Sequence, residues 1–146
     1  MHETRVESIN DGNFFKKAGH ELRRAERYRL FVSLLVLDLS YLNALANHQR
    51  RYLISELQDL VRKNVRIIDF LSLVDNRLLL MLPETSRQGA EIAARRLGEL
   101  IRTNLLAGTE EKFVDAVPVE MASFPDAAGV KSLVDLLREL SQPPMN

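Results

Sequence analysis

The sequence of 146 residues contains no cysteine and no tryptophan, and its acidic and basic residues balance at 20 each. Without cysteine the chain forms no disulfide, no thiolate metal site and no cysteine nucleophile. The balanced charge gives no global field that would attract nucleic acid or an anionic membrane. The arginine pairs occur in helical patterns among Glu and Asp, which is typical of solvated helix faces rather than of a nucleic-acid stripe. These pairs are Arg23-Arg24, Arg50-Arg51 and Arg95-Arg96.

Long apolar runs are also missing. No run is long enough to span a bilayer, and residues 1–10 are polar, without the apolar core of a signal peptide. These features predict a cytoplasmic protein that does not bind a membrane. His2, His20 and His48 are isolated from one another, so the sequence predicts no metal site and no cofactor.

Composition predicts one folded domain. Apolar residues make up 46% of the chain and charged residues 27%, which is ordinary for a globular protein. We expect residues 1–10 to be a leader or a linker remnant, residues 11–140 to form the domain, and residues 141–146 to form a flexible tail.

Periodicity predicts four helical regions and four strands. Apolar residues at helical spacing predict helices over 11–29, 41–64 (with a break near Asn47), from an N-cap at Ser86 through about 101, and over 132–140. Short apolar runs predict strands over 31–39, 65–73, 78–82 and 113–123. The run 31–39 is nearly continuous, which favours a central strand buried on both faces, whereas Pro118 favours an edge position or a bulge for the last strand. The expected buried helical residues include Tyr28, Tyr52 and Ile92.

The segment LSLVDNRLLLMLPET, residues 71–85, predicts a β-hairpin that turns at Asp75-Asn76-Arg77. Together with helical crossovers, this hairpin predicts an α+β fold. We expect a ferredoxin-like, nucleotide-cyclase palm with a central, mostly antiparallel sheet flanked by helices.

Five segments, in the same order, resemble consecutive motifs of the GGDEF (diguanylate cyclase) family. They are NFFKKAGHELRRAERY, LLVLDLSYLNAL, RIID, LLLMLPET and VEMASFPDAAG. The resemblance covers roughly residues 13–140. It implies the family's palm fold, in which two metal ions lie between a first-strand Asp and the signature turn and bridge the triphosphate of GTP. It also implies a place in bacterial cyclic di-GMP signalling.

The residues of the signature turn depart from the family's pattern. Asp38 matches the first-strand metal ligand, but Val74 and Asp75 replace the two glycines, and Asn76 and Arg77 replace the acidic pair. A pair of hard cations needs several carboxylates, and here a guanidinium occupies a ligand position. We therefore interpret these four polar residues, 38 and 75–77, as a vestigial active site with no catalytic residue.

Two further substitutions extend this departure. Ser40 stands where a second Asp is expected, and Asn43 where a phosphate-facing Lys is expected. The resemblance thus predicts a catalytically inactive regulatory or protein-interaction domain with a protein partner or a homodimer, contacting it through helical faces such as 21–29 or through its C-terminal edge. Two alternatives stay open: a residual diguanylate cyclase using Asp38 and Asp75, and a purely structural role for Asp38 as a cap on the next helix.

Arg66 and Asp69 match the family's R-x-x-D pair, which forms an inhibitory site for cyclic di-GMP. A guanidinium pairs with phosphate or with the Hoogsteen edge of guanine, and a carboxylate accepts from guanine N–H groups. The resemblance therefore implies a second function, a cyclic di-GMP or GTP receptor. The simpler interpretation is a surface ion pair worth at most about 1 kcal/mol.

Overall fold

A computed structural model of the chain describes residues 11–106, 119–125 and 132–141. The elements are α1 (Asp11–Tyr28), β1 (Val32–Asp38), a 3₁₀ helix (Ser40–Ala44), α2 (Asn47–Lys63), β2 (Phe70–Val74), β3 (Arg77–Pro83), α3 (Arg87–Ile101), a π-helical turn (Arg102–Leu106), β4 (Val119–Phe124) and α4 (Leu133–Ser141). The predicted leader 1–10, tail residues 142–146 and strand residues 113–118 lie outside the described residues.

The four strands form one sheet in the order β2-β3-β1-β4, and every neighbouring pair is antiparallel. From β1 onwards the chain runs strand, helix, strand, strand, helix, strand, which is the ferredoxin-like arrangement. The predicted α+β fold is confirmed. Within the described residues β1 is central and β4 lies at an edge, as their sequences indicated.

Each face of the sheet carries its own helices and its own apolar core. Alternate residues of a strand point to opposite faces, so consecutive leucines of β1 enter different cores. Leu35 and Leu37 pack with the α2 and α3 residues Leu57 and Leu97. The second core contains buried side chains of α1, α4, β1 and β3: Phe14, Ala18, Ala25, Val32, Leu34, Val36, Leu79, Met81, Leu133, Leu136 and Leu140.

The second predicted strand starts later than its apolar pattern suggested. Residues 65–69 form a turn instead, and β2 begins at Phe70. The Asp69 carboxylate accepts the Arg66 backbone N–H, and the Arg66 carbonyl accepts the Asp69 N–H, at 2.7 and 3.0 Å. These two bonds close the backbone on itself, which removes it from the sheet ladder.

The hairpin turn is shorter than predicted, because Arg77 already belongs to β3 and pairs with Val74. Asp75 and Asn76 alone form the loop, and Asp75 has a φ of 55°. Asp tolerates this left-handed region because its short polar side chain bonds locally.

Three residues predicted to be buried are exposed. Tyr28, Tyr52 and Ile92 are exposed over 60%, 64% and 61% of their surface. On α3 the residues facing the sheet are Ala90, Leu97 and Ile101, and Ile92 lies outside this stripe. In the described part of the chain no helix is long and apolar enough to cross a bilayer.

Candidate functional site

Two opposite ends of the sheet carry the residues that the sequence singled out. The end at Asp38, Asp75, Asn76 and Arg77 is called the turn end. At the opposite end, β1 begins and β3 finishes, beside Arg66 and Asp69. That end is called the cavity end. Antiparallel pairing separates the two sets of residues by the full length of β3.

At the turn end the sheet register places Asp38 directly opposite Arg77. The Leu39 backbone N–H donates to the Asn76 carbonyl at 2.7 Å, which ties the end of β1 to the hairpin turn. Residues directly opposite on antiparallel strands have neighbouring side chains. The carboxylate that resembles a metal ligand therefore lies beside a permanent cation.

The Asp38 carboxylate is held by the start of the next helix. Its Oδ1 accepts the Ser40 backbone N–H at 2.9 Å. Hydrogen bonds from the Ser40 backbone and side chain lower the pKa of Asp38, and the Arg77 charge lowers it further, while partial burial opposes the shift. Asp38 precedes the N-cap residue Leu39, and its side chain accepts the N–H of the first residue of the 3₁₀ helix.

Asn43 also has a partner within the chain. Its Oδ1 accepts from the Arg50 guanidinium at 2.9 Å, and Arg50 reaches Asn47 Oδ1 at 3.3 Å. A position where the family resemblance implies a cation thus carries a hydrogen-bond acceptor occupied by an arginine of α2.

The donor atoms at the turn end do not fit two divalent cations. Among the described residues there is no group of three or more His, Asp or Glu side chains that could hold a metal ion. Hard cations take six or more oxygen ligands and need compensating negative charge. The turn end offers the carboxylates of Asp38 and Asp75 beside the Arg77 guanidinium.

At the cavity end Arg66 and Asp69 form a bidentate ion pair. Arg66 Nη2 and Nε donate to the two carboxylate oxygens at 2.9 and 3.3 Å, in addition to the backbone bond from Arg66. Asp69 is only 3% exposed, whereas the Arg66 side chain is 51% exposed. This bidentate, partly buried pair is more strongly held than the surface ion pair considered from the sequence.

Arg66 also binds the chain that leads into α3. Its Nη2 donates to the Pro83 carbonyl at 2.8 Å and to the Thr85 hydroxyl, which itself donates to the Pro83 carbonyl. Ser86 then caps α3 by accepting the Gly89 backbone N–H at 3.3 Å, as the sequence predicted. Hydrogen bonds of the Arg66 side chain therefore connect the R-x-x-D turn to the end of β3.

A cavity of about 370 Å³ opens beside this pair. Its polar wall is formed by Arg66, Asp69, Glu84, Thr85, Ser86 and Arg96, while Ile92 contributes to its apolar wall. The Arg96 guanidinium donates to the Asn64 carbonyl at 2.8 Å. The volume lies in the range of ordinary small-molecule sites.

Sequence reasoning missed Arg96 and Thr85 as members of this site. The sequence places Arg96 on a solvated helix face, and its helical spacing gives no sign that residues 64–66 lie beside it. Thr85 had a weak signal, as part of the segment that resembles the family's hairpin strand. The structure brings Arg66 and Asp69 together, and separately Asp38 and Arg77.

No protein-family profile matches the sequence, and no protein of curated function matches it. Several solved structures, in contrast, align with the structure of this chain. The diguanylate cyclase SiaD of Pseudomonas aeruginosa, solved in complex with its activator SiaC, aligns with a TM-score of 0.69 and 17% identity over 92% of this chain. The present chain spans 54% of that SiaD chain.

Two other diguanylate cyclases align over most of their own length. The active GGEEF domain of a Vibrio cholerae enzyme gives a TM-score of 0.69 and 15% identity, covering 90% of this chain and 85% of the other. A Thermotoga maritima DGC protein gives 0.64 and 11%, covering 83% and 85%. The chain has the GGDEF-like α+β fold of diguanylate cyclase domains.

Proposed function

We propose that this chain is a catalytically inactive, GGDEF-like regulatory domain that binds another protein in bacterial cyclic di-GMP signalling, in the cytoplasm. Its fold supports the signalling context. The cation directly opposite Asp38 is the observation that supports inactivity, because a guanidinium repels the divalent ions that GTP condensation requires.

Incubation with GTP and Mg²⁺ or Mn²⁺, followed by chromatography, tests inactivity. We expect no cyclic di-GMP from the wild type. Formation of cyclic di-GMP that disappears in Asp38→Ala and Asp75→Ala would instead establish the residual-cyclase alternative.

A protein partner is supported by the comparison with SiaD, which was solved with an activator protein. For this chain the partner is either another protein or a second copy. Sedimentation velocity at several concentrations distinguishes the homodimer from the monomer. A chain that neither self-associates nor retains any binding protein would contradict the proposed regulatory role.

Cyclic di-GMP recognition at the cavity end is a second candidate function. It is favoured by the cavity beside Arg66, whose wall adds the Arg96 guanidinium to the R-x-x-D pair. Against it, Asp69 is buried and its carboxylate already accepts three hydrogen bonds from Arg66, which leaves guanine N–H groups little access to it.

Calorimetry with cyclic di-GMP decides this second candidate. Arg66→Ala removes both a ligand contact and the partner of Asp69, so its melting temperature must be measured alongside. Arg96→Ala is the matched variant, because it leaves the Arg66–Asp69 pair intact. Heat that is lost in both variants supports a receptor, whereas no heat at high micromolar ligand excludes it.

A further inference from the structure

The exposed apolar side chains of this chain are concentrated at one end. Eight large hydrophobic residues are exposed in the described part of the chain. Five of them belong to the cavity end: Tyr28, Phe31, Ile67, Ile68 and Ile92. Scattered exposed hydrophobics are normal on a monomer, but a concentration of them marks an interaction surface.

The element order and the strand register place these residues at one end of the sheet, with Tyr28 on the α1 face and Ile92 on the α3 face. Tyr28 finishes α1 and Phe31 precedes β1, whose first residue Val32 pairs with Pro83 and Phe124 at the ends of β3 and β4. Ile67 and Ile68 lie between the two residues of the Arg66–Asp69 pair.

Ile92 joins the same surface through the cavity. It lines this cavity together with Arg66, Asp69 and Thr85. The wall of the cavity thus connects the exposed apolar residue of α3 with the turn that carries the two exposed isoleucines.

The cavity end is also rich in arginine. Within the described residues Arg27, Arg29 and Arg96 form no ion pair with a carboxylate, and all three are exposed. Arg27 lies over the ring of Tyr28 at 5.6 Å, and Arg96 donates to the Asn64 carbonyl. Of the carboxylates at this end, Asp69 is bound by Arg66 and Glu84 by Arg24 at 3.2 Å, whereas Glu26 and Glu91 are exposed and leave a smaller excess of positive charge.

We propose that the cavity end is the docking surface for an acidic, apolar segment of a partner protein. The partner's apolar side chains pack on the three exposed isoleucines (67, 68 and 92) and on the exposed aromatic residues 28 and 31. Its carboxylates form ion pairs with Arg96, Arg27 or Arg29. Arginine and aromatic residues are the types that dominate protein interfaces. The inference rests on the proposed protein-binding function and names the surface that performs it.

The cavity favours a protein segment over a membrane surface. A concave site of about 370 Å³ accepts one or two side chains of a folded segment, with Arg96 in its wall to pair with a carboxylate. A bilayer surface is flat on this scale and leaves such a depression unfilled. A second copy is the alternative occupant, and self-association in sedimentation velocity that the Ile and Arg96 variants abolish would assign the surface to a homodimer instead.

Selection from a random dodecapeptide phage library on the immobilised full chain tests the proposal. We expect the enriched peptides to combine Asp or Glu with Leu, Ile or Phe. A fluorescent synthetic copy of the most enriched peptide should bind with an affinity reduced about tenfold or more by the triple change Ile67→Asp, Ile68→Asp, Ile92→Asp, and similarly by Arg96→Glu.

Tyr52→Asp is the matched control, since Tyr52 is equally exposed but lies on α2 away from the cavity end. It should bind the peptide like the wild type. All changes are at exposed positions, so the variants should keep the wild-type circular dichroism and melting temperature; a triple variant that unfolds is replaced by Ile92→Asp alone.

Three outcomes overturn the proposal: no enrichment, enrichment of basic peptides, or peptide binding that the Ile and Arg96 variants do not change. Co-flotation with phosphatidylglycerol vesicles, lost in the triple variant and without peptide binding, would assign the surface to a membrane instead. If the variants still bind the peptide, the protein-binding function stands but another surface performs it. Turnover of GTP would instead contradict the proposed inactive, regulatory function, whatever surface binds the peptide.

Discussion

The Asp38 carboxylate has both a hydrogen-bond donor and an opposite charge close to it within the chain. Its oxygen accepts the Ser40 N–H, and Arg77 lies opposite it across the strand pair. Both interactions favour the ionised form, which explains the direction of its pKa shift. The same side chain therefore stabilises the fold in the charged state.

This shift predicts a pH dependence of stability. Because the pKa of Asp38 is lower in the folded than in the unfolded chain, its contribution is fully present above the unfolded pKa of about 3.9 and is lost as pH falls through the folded pKa. Asp38→Asn keeps an acceptor for the Ser40 N–H but does not titrate. Urea unfolding between pH 6 and 3 should show a smaller loss of stability in Asp38→Asn than in the wild type.

The matched variant Asp38→Ala removes the acceptor and should cost about 1 kcal/mol at neutral pH. If the free energy of unfolding falls equally with pH in the wild type and in Asp38→Asn, ionisation of Asp38 does not contribute to the pH dependence of stability.

The position of Arg77 opposite Asp38 predicts that an acidic residue in its place would allow a divalent cation to bind. Arg77→Glu removes the repelling cation and adds a carboxylate beside Asp38, so we expect weak Mn²⁺ binding with a Kd on the order of 0.1–1 mM. Arg77→Gln is the control, since it removes the cation without adding a ligand. Calorimetry should detect heat only for the Glu variant; wild-type binding that Asp38→Asn abolishes would contradict the assignment of a vestigial site.

At the scale of single elements, α3 combines a good N-cap with glycines that its helical conformation does not require. Ser86 caps the helix, whereas Gly98 lies inside it, and in the described part of the chain no atom beyond its neighbours and the helix's own backbone lies within 4 Å of where a Cβ would stand. A glycine inside a helix raises the entropy of the unfolded chain without a compensating contact.

Gly98→Ala should therefore raise the free energy of unfolding by about 1 kcal/mol in urea titration. Gly89→Ala is the control in the same helix. Its Cβ would approach Thr85 Cγ2 to 3.1 Å, and Thr85 is held by Arg66, so the gain should be smaller or reversed. Equal gains for both variants would show that the Thr85 contact relaxes freely.

At the scale of the whole molecule, β1 holds the two cores together. Leu34 and Leu35 are both fully buried, although they are consecutive and point to opposite faces. The central strand therefore packs against α1 and α4 on one face and against α2 and α3 on the other. The helices cover both faces of the sheet, so the polar residues of the turn end and of the cavity end lie at its two ends.

Leu34→Ala and Leu35→Ala should each lower the free energy of unfolding by about 2–5 kcal/mol, because each opens a cavity in a different core. Tyr52→Ala, at an exposed position, should change it by less than about 0.5 kcal/mol. Thermal or urea unfolding measures all three; a large loss for only one of the leucines would show that the other core packs loosely.

Much of the fold could be predicted from the sequence, because its signals are local. The continuous apolar run of β1, the Asp-Asn turn and the Ser86 cap each depend on neighbouring residues alone. Predictions failed where burial was decided by packing. Ile92 matches the helical period and is nevertheless exposed, since the sheet meets the α3 face formed by Ala90, Leu97 and Ile101.

The sequence by itself determined the element order, the hairpin and the identity of Arg77 at the turn, where the resemblance to GGDEF domains implies an acidic residue, since periodicity, turn chemistry and residue identity need no long-range contact. Only the tertiary structure decided that Arg66 closes on a buried Asp69, that Arg96 joins them, and that five apolar side chains share one end of the sheet. These features require segments distant in sequence to meet, and that meeting depends on how the helices pack on the sheet rather than on any local pattern.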